Sequence, residues 1–315
     1  MFGRLSKITL ISSQSNKESL VVVDTQKNET NSYLFNAVIE RFPYDEVDCL
    51  TLTIYNLEPR IRGELAVKTY DRVSLEFGYK DEGGMLSTIF EGNIVRPLYT
   101  RIDAVTDATI LYVWDSGDFK NYGFVSLTYD AGVNYYQIAQ DIATKGTYKM
   151  SNELTEKLKQ YKTTSAKSIY GTQDDALQNI AKECGLPYKT ENNVVKIFGD
   201  KIENEEVIVF TRTLEDGRIV SQSGLIGIPS LSNDGLYFSC LVNPKLSIFS
   251  VVKIDNSVIN IEQSGAVPNV ETGGQLNSDG LYRVVKLTTT ISNDGNQNQT
   301  SVKAISLNLF NTGEY

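Results

Sequence analysis

The chain has 315 residues, 41% of them hydrophobic, with 30 basic against 39 acidic side chains for a net charge of −9, and it contains no histidine. That length holds two or three domains, each able to bury its own core. The acidic balance, unbroken by any Lys/Arg cluster, argues against a duplex-grasping surface, and the missing histidine removes Ser-His-Asp, Cys-His and HExxH chemistry. No stretch approaches the ~18 apolar residues of a membrane helix, and the N-terminus lacks a cleavable apolar leader, so a soluble chain with no membrane partner and no secretion address is expected. Cys49, Cys184 and Cys240 are odd in number and never in CxxC spacing, which predicts small buried hydrophobes in a reducing cytoplasm. Eighteen tyrosines against one tryptophan, with frequent Val, Ile and Thr, bias the chain towards strands.

Residues 1–117 read as strand after strand. Leu50, Leu52 and Ile54 alternate with Thr51, Thr53 and Tyr55, and Val73, Leu75, Phe77 and Tyr79 alternate with Ser74, Glu76 and Gly78, the period of a sheet with one buried face. Asp81-Glu82-Gly83-Gly84 has the length and chemistry of a hairpin loop leading into Leu86–Val95. Val105–Trp114 is a further strand.

Over 118–199 the apolar period changes from two to 3.6. Tyr135, Ile138, Ala139, Ile142 and Ala143 form one helical stripe, and Leu177, Ile180, Ala181 and Cys184 another. Thr172 and Asp175 suggest a capping box, and Gly185 and Pro187 a stop. Ser151–Lys162 reads as an exposed helix or ordered insert. Tyr188–Thr190 and Val194–Phe198 form a hairpin around Glu191-Asn192-Asn193.

Over 200–315 the strand pattern returns, punctuated by Glu215-Asp216-Gly217, Asn233-Asp234-Gly235, Ser278-Asp279-Gly280 and Asn293-Asp294-Gly295. Leu236, Phe238, Cys240 and Val242 recur at every second position until Asn243-Pro244 ends the strand, and Phe249–Ile254 follows as another. Gln263–Asn277, rich in Gly, Asn and Gln, reads as a surface loop.

Chemistry is sparsely encoded. Neither a Walker loop nor GxGxxG is present, and no cofactor or metal site is expected. The calcium reading of Asn293-Asp294-Gly295-Asn296 lacks the EF-hand spacing, and a hairpin turn explains the same residues. Carboxylate glycosidase chemistry needs two acids ~5–10 Å apart, with Asp174, Asp175, Glu205, Glu206, Glu215 and Asp216 as candidates. The first two fall in a helix's first turn, where the dipole favours negative charge, and the others in polar segments. Tyr135 falls on the apolar stripe, so core packing explains it, while Tyr136 is open to a stacking role.

Three patches resemble the baseplate hub proteins of contractile phage tails: IYNLEPRIRGEL at 54–65 followed by DRVSLEFGYKDEGGMLSTIFEGNIV at 71–95; the helix-turn-hairpin run 174–198; and GIPSLSNDGLYFSCLVNPKLSIFSVVKI at 227–254, with a distant partner at 279–309. The matching positions are Tyr55, Asn56, Leu57, Gly78, Tyr79, Gly92, Gly235, Asn243, Pro244, Gly280 and Tyr282. The resemblance implies a mainly β fold with a small α/β insert: a first β domain at 1–117, a helix-hairpin middle domain at 118–199 and a second β domain at 200–315, both β domains being barrel-like or sandwich-like. It further implies a non-enzymatic virion protein assembled in the host cytoplasm. Three copies would form a ring joining the tail tube, or its initiator, to a central spike within the baseplate, matching threefold to sixfold symmetry. Genome would pass through an acidic channel without specific binding. The hub module of a non-contractile tail tip or injection machine is an alternative within the same class, and a carbohydrate-binding or glycosidase β protein an alternative outside it.

Overall fold

The computed structural model describes residues 3–14, 17–26, 32–43, 46–80, 83–115, 123–145, 149–151, 156, 158–186, 188–192, 194–197, 206–210, 212–215, 218–221, 224–261, 276, 279–295 and 298–307. Two compact units divide the chain: residues 1–33 with 44–200, and 34–43 with 201–315. The first unit joins the segments expected at 1–117 and 118–199, except that 34–43 passes to the second. The fold is mainly β with large sheets.

In the first unit, β1 (Arg4–Ile11), β2 (Leu20–Asp24), β4 (Cys49–Tyr55), β5 (Arg72–Tyr79), β6 (Ser87–Arg101) and β7 (Asp107–Trp114) form an antiparallel run in the order β4-β7-β6-β5-β1-β2. Register explains the alternation. Leu52 faces Leu111, Leu50 faces Val113, Ile8 faces Leu75 and Leu10 faces Val73, all fully buried, so the apolar sets of neighbouring strands share one face. The strand expected at Val105–Trp114 begins at Asp107, because 102–106 turn the chain.

A helix that periodicity did not reveal, α1 (Pro59–Ala66), follows β4. Proline occupies its first turn, where no N–H is needed, and Ile61 and Leu65 bury one side.

The same unit contains β8 (Phe124–Tyr129), α2 (Tyr135–Lys145), β9 (Lys149–Met150), β10 (Lys167–Thr172), α3 (Gln173–Glu183), β11 (Tyr188–Glu191) and β12 (Val194–Ile197). Strands β8 and β10 pair antiparallel, and β11, β12 and β9 form a small sheet. Both helical stripes close on one core through Ile138, Ile142, Leu177 and Ile180, joined by Leu158 and Val195. The Thr172 hydroxyl accepts from the Asp175 N–H at 3.1 Å, as the capping pattern requires. Part of the insert expected at 151–162 lies outside the described residues, and Leu158 within it is buried rather than exposed.

The second unit is built on β20 (Leu281–Ser292), which pairs with β21 (Gln299–Ser306), β18 (Val251–Ile254) and β3 (Phe35–Arg41). Beyond β21 come β17 (Gly235–Cys240), β16 (Leu225–Ser232) and the short β19 (Asn260–Ile261), while β13 (Ile208–Phe210) pairs parallel with β18. A separate hairpin joins β14 (Arg212–Glu215) to β15 (Arg218–Ser221) around the turn expected at 215–217, whose Asp216 and Gly217 lie outside the described residues. The loop expected at 263–277 does too, apart from Leu276.

Two expectations shift here. The strand through Val242 ends at Cys240, and the strand from Phe249 begins at Val251. Phe249 itself takes φ +68°, a region bulky side chains rarely enter. Its N–H donates to the Val284 carbonyl, and its own carbonyl accepts from the fully buried Arg283 guanidinium at 3.1 Å.

Candidate functional site

The family-motif residues lie at strand ends, turns and close approaches. Asn56 adopts φ +53°; its N–H donates to the Asp107 carbonyl at 2.8 Å, and its side-chain oxygen accepts from the Asp107 N–H at 2.9 Å. With half-buried Tyr55 before it and buried Leu57 after it, Asn56 fastens the end of β4 to the β6–β7 hairpin. Gly92 has no room for a side chain, since a Cβ there would stand 2.4 Å from the Trp114 carbonyl oxygen; Gly78 is as crowded by Met85. Tyr79 packs edge-on against Phe77.

Gly280 takes φ +71°, and a Cβ there would lie 2.5 Å from the Ile254 carbonyl oxygen. Gly235 opens β17 against the Ala304 carbonyl. Buried Tyr282 donates to the Asn256 side chain at 3.1 Å. The Asn243 side chain accepts from the Lys245 N–H, and its carbonyl from the Leu246 N–H, a turn that Pro244 completes. These positions shape the backbone on which surfaces are carried.

Three local devices stand out. The first is a buried charge cluster inside the first unit. Lys189 on β11 donates to Asp48 at 2.6 Å, with both side chains almost wholly buried. Beside it Asn192, at φ +50°, gives its N–H to the Asp115 carboxylate at 2.8 Å and accepts the Glu91 N–H at 3.1 Å. The β11–β12 hairpin is thus tied by polar bonds to an interior residue of β6 and to the residues flanking β4 and β7. Asp48 and Lys189 are 141 residues apart, and no local pattern announces them.

The second is the tip of the β6–β7 hairpin. One Asp103 oxygen accepts from both the Val105 and Thr106 N–H groups at 2.8 Å, and the Ile102 N–H donates to the Thr106 carbonyl. This turn is fixed in shape yet presents Ile102, Ala104 and Val105 to solvent, with Val105 84% exposed.

The third is a groove of about 540 Å³ on the outer face of the second unit, lined by Ile226, Ile228, Tyr237, Lys286, Thr288 and Lys303 among others. Pairs at Ile226↔Ser239 and Ser230↔Tyr237 leave Gly227, Ile228 and Pro229 opposite the single residue Phe238. That bulge lifts β16 and forms one wall. At the far end of the hairpin, Asp234 accepts from Lys303 at 2.8 Å and from the Tyr237 hydroxyl at 2.6 Å. Lys303, then the Ser232 and Tyr237 hydroxyls, hold its carboxyl well below the usual carboxylate range.

Each candidate acid that the structure describes has a local setting of its own. Asp174 and Asp175 sit in the first turn of α3, and Glu206 pairs with Lys245 on an exposed surface at 2.8 Å. Glu205 and Asp216 lie outside the described residues, as does the Glu215 side chain. Tyr135 donates to Glu183 at 2.6 Å, a bond that with partial burial raises its pKa to about 12. Tyr135 and Tyr136 both pack partly on the small core, and Tyr136 lies under Lys159. Burial pushes the Cys240 thiol up to about 12 and the Cys184 thiol to about 11; Cys49 is only half-buried. Among the described residues no group of three or more Cys, Asp or Glu side chains could hold a metal, and no helix is long and apolar enough to cross a membrane.

The fold is shared with solved tail proteins. A tail protein from Neisseria meningitidis MC58 superposes with TM-score 0.57 at 10% identity, covering 99% of both chains. The 43 kDa tail protein of prophage MuSo2 from Shewanella oneidensis gives 0.56 at 11% identity, covering 96% of this chain and 97% of that one. A chain of the Francisella PdpA–VgrG complex gives 0.51 at 7% identity; 98% of this chain is covered and 58% of that one. No curated protein sequence matches. The architecture is therefore that of phage tail proteins. Residues 50–265 match the family described as baseplate hub gp41, more than two thirds of the chain. The chain belongs to that family, and it is a structural protein of the phage tail and baseplate.

Proposed function

We propose that this chain forms the hub of a baseplate: three copies close a ring that joins the tail tube to a central spike and matches threefold to sixfold symmetry. One observation carries the reading. The family match runs from β4 past β19, so it takes in strands of both units and the helices of the first, not a single β module. Two β units per chain give a three-chain ring six sheet surfaces, the number a sixfold tube requires. Its partners are then further copies of itself, the tube or its initiator, the spike and neighbouring baseplate proteins.

No enzymatic step enters this reading. Asp174 and Asp175 complete a helix N-terminus, where their charge is stabilising, and Glu206 is neutralised by Lys245 in solvent. Neutralising Asp174, Asp175, Glu205 and Glu206 leaves assembly intact, whereas a saccharide-cleaving activity lost with them supports the glycosidase. Copy number tests the hub. Three chains per tail, on its axis, are expected by quantitative mass spectrometry and cryo-electron microscopy of tails; six chains, or a position on the outer baseplate, overturn it. A hub module of an injection machine is a second reading, favoured by the alignment of nearly the whole chain with one from the PdpA–VgrG complex.

A further inference from the structure

The β6–β7 tip spends exposed surface on the wrong residues for a turn. Turn tips are usually built from Gly, Asn, Asp, Ser and Pro, which satisfy the backbone and stay wet. Here Asp103, through its two accepted N–H bonds, and the Ile102 N–H bond to the Thr106 carbonyl fix the geometry, and the surrounding positions carry Ile102, Ala104 and Val105. Exposed apolar side chains on a preset backbone lose little conformational entropy on docking, so this is the form of a contact element.

The groove on the second unit has the complementary character. Its volume of about 540 Å³ is in the range that accepts a few side chains. Ile226 and Ile228 give it an exposed apolar wall, with Ile228 65% exposed, and Lys286 gives it a positive charge, Lys303 being paired with Asp234. The tip supplies apolar side chains around the Asp103 carboxylate; the groove supplies an apolar wall beside the Lys286 ammonium.

We infer that the β6–β7 tip of one copy seats in the β16–β17 groove of the next copy. The contact joins different surfaces of the two partners, and a heterologous contact of this kind propagates head to tail until the rotation closes a ring. The inference rests on the three-chain ring proposed above and names the surfaces that would close it.

Cysteine trapping tests it. Val105→Cys and Ile228→Cys are both exposed substitutions, so the doubly substituted chain should keep its fold, checked by circular dichroism. A mild oxidant captures transient encounters, so the purified chain need not be a stable ring. The expected products are disulfide-linked species that accumulate at three chains, with neither single variant giving them. Adding Lys286→Glu sets a carboxylate against Asp103 and should slow trapping several-fold at low salt, with the difference shrinking at high salt. No trapping, products that stop at two chains, dimers formed by Val105→Cys alone, or indifference to Lys286→Glu each overturn the contact. The hub reading fails separately, on copy number in the tail.

Discussion

Removing one partner of the Asp48–Lys189 pair should be among the most damaging single changes available to the first unit. The side chains are 1% and 3% exposed and meet at 2.6 Å. Lys189→Met leaves the Asp48 carboxylate buried without that ammonium, and Asp48→Val leaves the ammonium without that carboxylate. Breaking a buried pair in this way costs about 3–5 kcal/mol, because the remaining ion keeps its desolvation penalty. In a unit of roughly 190 residues, where ~1 kcal/mol moves the melting temperature by about 2–4 °C, the transition should fall by about 6–20 °C. Replacing both, Asp48→Val with Lys189→Met, removes both charges and should recover most of the loss. Urea unfolding of the four proteins closes a double-mutant cycle, with an expected coupling above about 2 kcal/mol. Single variants that lose under about 1 kcal/mol, or a double variant no better than the worse single, would refute the reasoning.

Three further outcomes follow from the same coordinates. Asp103→Ala removes the acceptor for two N–H groups, so amide exchange at Val105 and Thr106 should quicken several-fold while the neighbouring strands stay protected; unchanged exchange would show that the turn does not depend on it. Gly92→Ala should destabilise by about 3 kcal/mol, since its methyl would meet a backbone oxygen at 2.4 Å, whereas Gly63→Ala in α1 meets nothing within 4 Å and should stabilise by about 0.5–1 kcal/mol; thermal unfolding compares the two. Asp234 has a depressed folded pKa, so what its ionised form contributes is present above the ordinary carboxylate value near ~4 and is lost only as pH falls through the lower folded value. Its carboxyl carbon, followed by NMR, should titrate well below that value, and Lys303→Met should raise the midpoint.

Period-two and period-3.6 patterns were enough to find β4, β5, α2 and α3, because each buries one face of a regular element. The Thr172 cap and the Asn233-Asp234-Gly235 turn were equally local and equally readable. Helix α1 escaped because eight residues offer only two buried positions, Ile61 and Leu65, too few to set a period. Phe249 escaped because a left-handed aromatic is held by Arg283 and Val284, residues more than thirty positions away. The candidate contact surfaces were the least legible. Val105 was read as part of a strand, and the groove arises from a register shift within β16 that its residues do not spell out, although Gly227-Ile228-Pro229 in a strand is the signal that could have raised it. The charge cluster needed partners from segments far apart in the chain, brought together by the fold.

The membership of β3 bears on how the protein is made. Phe35 leaves the ribosome early, yet its N–H is satisfied by the Asn293 side chain, 258 residues later. At ~5–20 residues per second that interval is about 13–50 s. During it β3 lacks β20, the strand with which it pairs in the second unit. Completion of the second unit is therefore postponed to the end of translation, and a nascent chain stalled or cleaved before β20 lacks the strand on which that unit is built. Quality control by chaperones and proteases would then remove truncated copies before they could compete with full-length ones for a place in an assembling tail.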